Sequence, residues 1–151
     1  MNFYYDTSAL CRNYHSETGS DQVAALLATA GSRHVISRVT HLEVQSAFAI
    51  KVRTQEITAA DFDLLRRKFL TDIHQRKLTV VRLLRRHFDR AEALIVKHGL
   101  TGPLRTMDAM HLTIAKDLCE MGIVDTFVCA DKALLRFAAL EGLQTIDPSV
   151  P

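Results

Sequence analysis

The chain has 151 residues, the size of one ordinary domain, with 48% hydrophobic and 24% charged residues. A chain of this length and composition can bury a core without disulfides, which excludes a disordered or fibrous protein. Its three cysteines form no C-x-x-C pair, and a net charge of +2 does not by itself indicate nucleic-acid binding. We expect a cytoplasmic protein without a leader or a membrane span, because no apolar run reaches the roughly 18 residues that a bilayer requires.

Short apolar segments alternate with helical patterns along the whole sequence. We predict strands over residues 2–5, 33–36, 78–84, 123–129 and 143–146. We predict helices over residues 8–14, 20–30, 40–54, 58–75, 86–98, 106–121 and 131–141. This order is typical of an α/β fold with a central, mostly parallel sheet of four to five strands flanked by helices. With no linker or repeat, residues 1–151 are predicted to form a single domain.

Four acidic residues fall where the functional sites of parallel α/β folds form. Asp6 ends the first predicted strand, and Asp131 follows the fourth. Glu43 and Asp108 are assigned to the first turns of the helices predicted to begin near residues 40 and 106. Strand C-termini and the N-termini of the following helices share one edge of such a sheet. The four carboxylates can therefore converge at that edge.

Each of these acids also has a structural interpretation. Thr40-His41-Leu42-Glu43 fits the S/T-x-x-E capping box, and Thr58-Ala59-Ala60-Asp61 resembles the same device. Asp108 and Asp131 are suited to capping a helix or to the first turn, where the helix dipole favours a carboxylate. Asp6 is harder to explain in this way, because a carboxylate directly after Phe-Tyr-Tyr is costly to bury unpaired, although it could cap the helix predicted over residues 8–14.

Convergence of the acids would predict a metal site. Carboxylates that meet without a cation repel one another, and hard divalent cations relieve the repulsion through oxygen ligands. We therefore expect Mg²⁺, with Mn²⁺ as a substitute, and not zinc, because no His/Cys set has suitable spacing. Mg²⁺ on carboxylates typically serves phosphate chemistry. The sequence contains neither a P-loop nor G-x-S-x-G, which argues against hydrolysis of nucleoside triphosphates and against a serine hydrolase.

Four stretches of the sequence resemble PIN-domain ribonucleases and, more narrowly, VapC-type toxins of type II toxin–antitoxin systems. They are Tyr5-Asp6-Thr7-Ser8-Ala9-Leu10, the segment from Ser37 to Phe48, the segment from Leu104 to Leu112, and the segment from Phe127 to Leu134, which is followed by Glu141-Gly142-Leu143. The third is close to the family pattern L-R-x-x-D-A-x-H-L. The resemblance covers nearly the whole chain, and the third and fourth stretches are its most specific part.

The resemblance implies a PIN-like three-layer fold and a Mg²⁺-dependent endoribonuclease. It implies that Asp6, Glu43, Asp108 and Asp131 are the catalytic, metal-binding acids, and that the Ser8 hydroxyl helps to order the site. It also implies RNA products with 5′-phosphate and 3′-hydroxyl ends, because water is the nucleophile.

The resemblance further implies partners, and the sequence departs from the family pattern at one position. These toxins commonly form homodimers, and a VapB-like antitoxin often sends a basic side chain towards the acids. Cys129 stands where the family often has threonine or serine. A thiol is a poorer hydrogen-bond donor than a hydroxyl, so this position puts the support of Asp131 in question. The alternative function is a catalytically weak or inactive PIN-fold module that binds RNA or protein.

His111 and a basic segment have two interpretations each. His111 follows Asp108 by three residues, and we interpret it as a structural residue under the site and not as a metal ligand. Residues 66–90 contain nine Lys/Arg and two acids, a local net charge of +7 that leaves −5 for the rest of the chain. The segment is either a solvated helical face or a strip that binds an RNA backbone, with Arg82, Arg85 and Arg86 as candidates.

The long predicted helices carry more apolar residues than one sheet face can easily cover. Leu10, Tyr14, Phe48, Phe62 and Leu65 are candidates for an apolar groove that stays open in the isolated chain. An amphipathic antitoxin helix could dock in such a groove.

Overall fold

The centre of the protein is a five-stranded parallel sheet, described by a computed structural model that covers residues 1–150. The strand order in the sheet is β3-β2-β1-β4-β5. The strands are β1 (Phe3–Tyr5), β2 (His34–Ser37), β3 (Thr79–Val81), β4 (Thr126–Val128) and β5 (Thr145–Ile146). Every neighbouring pair is parallel, and Tyr4 of the central strand lies opposite Val35 and Phe127. The predicted α/β class with a parallel sheet is confirmed.

Helices cover both faces of this sheet. They are α1 (Thr7–Leu10), α2 (Ser20–Leu27), α3 (Arg38–Arg53), α4 (Ala59–His74), α5 (Arg85–His98), α6 (Thr106–Glu120) and α7 (Lys132–Leu140). Tyr4 belongs to a core cluster built mainly with α5, α6 and α7, whereas Phe3 and Tyr5 belong to a second cluster with α1 to α4. Successive residues of a strand face opposite sides, so β1 supplies both cores. Within residues 1–150, no helix is both long and apolar enough to cross a bilayer.

Four of the five strands are shorter than predicted, and β3 and β4 show how the neighbouring strand limits the length. The predicted strand 78–84 pairs only over Thr79–Val81, since its neighbour β2 ends at Ser37, the partner of Val81. The predicted strand 123–129 is reduced to Thr126–Val128, which matches the three residues of β1. The predicted helix 8–14 is also interrupted: α1 is a single turn, followed by a 3₁₀ turn at Cys11–Asn13.

The start of α3 differs from the prediction in a way that concerns Glu43. Ser37 is the N-cap: its Oγ accepts from the Thr40 N–H at 3.2 Å, and Thr40 Oγ1 accepts from the Ser37 N–H at 3.3 Å. The capping box predicted for Thr40 and Glu43 is therefore wrong, and Glu43 lies in the second turn, free of a capping role. The box predicted for Thr58 and Asp61 is confirmed.

The prediction of an open groove is wrong for three of its five residues. Leu10, Tyr14 and Phe48 are buried, because they fill the layer between the sheet and helices α3 and α4. Only Phe62 and Leu65 remain half-buried. The apolar surface that remains in this region is a shallow groove between α3 and α4 of about 240 Å³, lined by Ala49, Val52, Arg53, Ala59 and Phe62.

Candidate active site

Asp6 is fixed by its position between the central strand and the first helical turn. It caps α1, and its Oδ1 accepts hydrogen bonds of 3.0 Å from both the Ala9 N–H and the Ser8 hydroxyl. The residue is only 4% exposed. Burial raises the pKa of Asp6 above its ordinary value, although His111, the Ala9 N–H and Ser8 oppose this shift. A carboxylate that is costly to bury thus stands at the end of the central strand.

Ser8 and Cys129 connect Asp6 to the loop that follows β4. The Ser8 hydroxyl donates to Asp6 and accepts from the Ala130 N–H at 2.9 Å. Cys129 is fully buried, and its Sγ accepts from the Asp131 N–H at 3.3 Å and lies 3.9 Å from Ser8 Oγ. Burial raises the pKa of the Cys129 thiol, which keeps it protonated. The sulfur therefore supports the Asp131 backbone at the position where the family often has a hydroxyl.

Asp131 combines a structural role with a place in the site. Its Oδ1 accepts from the N–H groups of Ala133 and Leu134 at 2.8 and 3.1 Å, which caps α7. Its Oδ2 accepts from Arg105 at 3.2 Å. The capping interpretation is therefore correct for one carboxylate oxygen and leaves the other to the site.

Arg105 joins Asp131 to Asp108. Asp108 lies in the first turn of α6, as predicted, and its Oδ2 accepts from Arg105 Nε at 2.9 Å. The same guanidinium donates to Asp131 through a second nitrogen. The Arg105 side chain is 72% exposed, whereas that of Asp108 is 15% exposed. An exposed cation thus bridges two of the four predicted acids.

Glu43 is held by polar groups from the central strand region and from α6. Its Oε2 accepts from the Thr7 hydroxyl at 2.5 Å and lies 2.7 Å from His111 Nε2. The Tyr4 hydroxyl lies 3.0 Å from His111 Nδ1. Burial disfavours the ionised form of Glu43, but contacts with His111 and Thr7 and the charge of Arg105 outweigh it and hold its pKa below the ordinary value.

The contacts of His111 define its role. An ionised carboxylate only accepts hydrogen bonds, so His111 Nε2–H donates to Glu43, and Nδ1 is hydrogen-bonded to the Tyr4 hydroxyl. His111 is 2% exposed and lies under the site, as its structural interpretation predicts. The i to i+3 spacing from Asp108 did not reveal that its partner is Glu43, a residue 68 positions away.

The four acids lie at the predicted edge of the sheet but do not form a ready-made ion cage. Within residues 1–150, no three His, Cys, Asp or Glu side chains are placed to hold one ion together. The Arg105 guanidinium instead neutralises Asp108 and Asp131, and its charge also acts on Glu43.

The donor chemistry nevertheless fits Mg²⁺ or Mn²⁺. All four acids offer carboxylate oxygens, the hard ligands that these cations prefer. The hydrogen bonds that fix Asp6 and cap α7 with Asp131 use only the Oδ1 atoms. The Oδ2 atom of Asp131 contacts an exposed side chain that can move away.

The basic segment divides into two kinds of arginine. Arg86 donates from Nε and Nη2 to the buried Asp117 at 2.9 and 2.8 Å, and Arg90 contacts the same carboxylate at 3.2 Å. These side chains tie α5 to α6. Arg82 and Arg85 are exposed on the segment that follows β3, and Arg85 lies 4.0 Å from Asp89. The candidate RNA-binding residue Arg86 is thus engaged in a structural ion network, whereas Arg82 and Arg85 are accessible.

The parallel sheet, its strand order and the acids at its carboxyl edge define an α/β protein with its site beyond the strand ends. The chain belongs to the PIN domain family, whose model matches residues 3–140. No curated protein matches its sequence.

Solved structures share this fold at low sequence identity. Mycobacterium tuberculosis VapC20, described as a sarcin-ricin loop cleaving toxin, has a TM-score of 0.66 and 12% identity, covering 96% of this chain and 97% of that one. FitAcB from Neisseria gonorrhoeae has a TM-score of 0.68 and 13% identity, covering 99% of both chains. VapBC2 from Rickettsia felis, bound to a DNA fragment from its promoter, has a TM-score of 0.61 and 15% identity, covering 97% and 98%.

Proposed function

We propose that the protein is a Mg²⁺-dependent endoribonuclease that acts as the toxin of a toxin–antitoxin system. The observation that carries the proposal is the buried Asp6 carboxylate at the end of the central strand, with three further acids at the same sheet edge. Membership of the PIN family and the likeness to a sarcin-ricin loop cleaving toxin support it.

The acids divide into two roles in this proposal. Asp6, Glu43 and Asp108 would hold the divalent cation, Mg²⁺ with Mn²⁺ as a substitute, and Asp131 would complete the acidic site. The cation supplies activation of water and stabilisation of the leaving oxygen. The residues of the chain fix the carboxylates: Ser8 orients Asp6, the α7 cap orients Asp131, and His111 orients Glu43.

The RNA substrate needs positive charge around this acidic edge. Arg82 and Arg85 follow β3, two strands from β1 in the sheet order, and neighbouring strands lie about 4.8 Å apart. The end of β3 therefore lies about 10 Å across the sheet from β1, and exposed cations on the segment that follows it could hold further phosphates of an RNA strand bound at the acids. We assign these two arginines to RNA binding and leave Arg86 to the contact with Asp117.

The partner in this proposal is a VapB-like antitoxin. The groove between α3 and α4 is apolar, and Ile50 and Leu64 on the same two helices are 45% and 58% exposed. An amphipathic helix lays its apolar face into a groove of this kind. The likeness to VapBC2 and FitAcB supports a toxin with such a partner. We also propose a homodimer as the active form.

The experiment measures RNA cleavage by the purified chain, then after chelation, and then after Mg²⁺ or Mn²⁺ is returned. We expect cleavage to stop on chelation, to resume with either ion, and to leave 5′-phosphate ends. Addition of the protein encoded by the adjacent small reading frame should inhibit it. If the chain binds RNA but cleaves none under any of these conditions, the protein is an inactive binding module and not a nuclease.

A further inference from the structure

Arg105 is the one basic side chain that bridges two of the site acids within residues 1–150, and its surroundings differ from those of a structural ion pair. Its Nε donates to Asp108 at 2.9 Å and a terminal nitrogen donates to Asp131 at 3.2 Å. Asp108 lies in α6 and Asp131 caps α7, so neither contact is the two-pronged pairing that fixes a guanidinium on one carboxylate.

Arg86 provides the comparison within the same protein. It makes two hydrogen bonds to one carboxylate, Asp117, which is 7% exposed and also contacts the buried His87. Arg105 is 72% exposed, and solvent-exposed ion pairs contribute little to stability. The Arg105 side chain can therefore leave its two acids at small cost to the fold.

The position of Arg105 also allows it to leave without moving the backbone. It directly precedes α6, and its side chain takes no part in capping that helix. The preceding residue, Leu104, is buried and anchors the segment to the core. Rotation of the long side chain therefore changes the charge at the site while Asp108 stays in place.

We propose that Arg105 is an exchangeable counter-ion of the acidic site, a role that rests on the proposed function. Without a divalent cation, its guanidinium neutralises Asp108 and Asp131. When a divalent cation binds these carboxylates, the guanidinium is displaced and binds a phosphate of the RNA at the edge of the site. A planar guanidinium suits both partners, because it donates parallel hydrogen bonds to carboxylate and phosphate alike.

The proposal predicts opposite effects of one substitution on two ligands. Arg105→Ala removes a cation that competes for Asp108 and Asp131, so Mn²⁺ should bind about fivefold more tightly or better, the effect of one unit charge at about 4 Å in water. The same variant should bind RNA more weakly in saturating Ca²⁺, with a log–log salt slope smaller by about one unit.

The test uses Mn²⁺ titration followed by electron paramagnetic resonance, and anisotropy of a labelled single-stranded RNA in Ca²⁺. Arg136→Ala is the matched control, because Arg136 is an exposed arginine on α7. It should change neither affinity by more than about twofold. Arg105→Lys keeps the charge but loses the planar guanidinium, so its affinities for Mn²⁺ and RNA should lie between those of the wild type and Arg105→Ala.

The outcomes separate this proposal from the function on which it rests. Mn²⁺ affinity that is unchanged or weaker in Arg105→Ala, while the wild type binds Mn²⁺, overturns the exchange and leaves the nuclease intact. An unchanged RNA salt slope overturns the phosphate contact. A wild-type chain that binds no Mn²⁺ overturns both the exchange and the metal-dependent function.

Discussion

His111 Nε2 lies 2.7 Å from Glu43 Oε2, and this contact determines how the acid on α3 meets the rest of the site. The bond joins α6 to α3, and the Tyr4 hydroxyl fixes the other ring nitrogen from the central strand. Three elements therefore hold Glu43 in one orientation. Sites of this kind depend on the groups behind the ligands as much as on the ligands.

Loss of His111 should lower activity through Glu43. We expect His111→Ala to reduce the RNA cleavage rate by about 10- to 100-fold, because Glu43 retains only the Thr7 hydroxyl as a partner. Tyr4→Phe keeps the ring and removes only the bond to Nδ1, so its loss should be smaller. The measurement is the rate of RNA cleavage by each variant, and urea unfolding of the same variants excludes misfolding. Wild-type rates in His111→Ala would show that Glu43 needs no such support.

Cys129 offers a matched pair of substitutions. Cys129→Ser keeps an acceptor for the Asp131 N–H and should cleave RNA within a few-fold of the wild type. Cys129→Val has similar shape but removes the acceptor of that partly buried N–H, which should lower the free energy of unfolding by about 1 kcal/mol. We expect the rate of RNA cleavage by Cys129→Val to fall together with its stability, because the N–H that loses its partner belongs to Asp131. Equal stability and activity for the serine and valine variants would mean that the sulfur has no supporting role.

Two acids remote from the site should determine the acid sensitivity of the fold. Two-pronged pairing with Arg86 holds the pKa of Asp117 at about 2. Burial opposes ionisation of Glu141, but contacts with His98 and Lys116 outweigh it and hold its pKa at about 2 as well. Because both values are depressed in the folded state, their stabilisation is complete above the ordinary carboxyl pKa of about 4 and is lost as the pH falls towards 2.

Urea unfolding as a function of pH measures this effect. The midpoint should hold between about pH 7 and 5 and fall steeply below about pH 4.5. Glu141→Gln should lose about 1–3 kcal/mol at neutral pH and show a weaker dependence on acid. Glu92→Gln, which changes an exposed acid on α5, should follow the wild type. A steep acid transition that persists unchanged in Glu141→Gln would contradict the assignment.

The exposed arginines after β3 are expected to bind RNA phosphates. The double variant Arg82→Ala/Arg85→Ala should bind RNA more weakly, with a log–log salt slope smaller by about two units, one for each contact. Its Mn²⁺ affinity should not change. The double variant Arg33→Ala/Arg53→Ala removes the same charge from exposed positions away from the carboxyl ends of the strands. Equal slopes for the two double variants would make the basic segment a solvated face.

The sequence was most informative where local patterns determine structure. The apolar runs at residues 2–5 and 123–129 predict strands, which the structure confirms over Phe3–Tyr5 and Thr126–Val128, and the geometry of parallel sheets predicts that the acids after them share one edge. The edge of the sheet could therefore be predicted without coordinates. The first and last residues of each strand could not be predicted, because the hydrogen-bonded pairing of a strand stops where the neighbouring strand ends.

Contacts between distant segments were beyond the sequence patterns. The bridge from Arg105 to Asp131 joins residues 26 positions apart, and no spacing rule connects them. The burial of Tyr14 and Phe48 depends on how closely α3 and α4 pack on the sheet, so these residues looked like a groove in the sequence. The start of α3 cannot be predicted from the sequence, because two capping patterns, at Ser37 and Thr40, overlap in the chain.

In the proposed function, the acids at the sheet edge carry out metal-dependent RNA cleavage. The most direct measurement is the initial rate of RNA cleavage in Mg²⁺ for the wild type, Asp6→Asn, Asp108→Asn and the control Asp125→Asn. Asp125 is exposed and bonds to the Asn2 N–H at the amino end of the sheet, away from the site. Asparagine caps a helix as well as aspartate does, so Asp6→Asn should fold. We expect no detectable cleavage by either site variant and full activity of the control; wild-type cleavage by Asp108→Asn would show that the site is assigned wrongly.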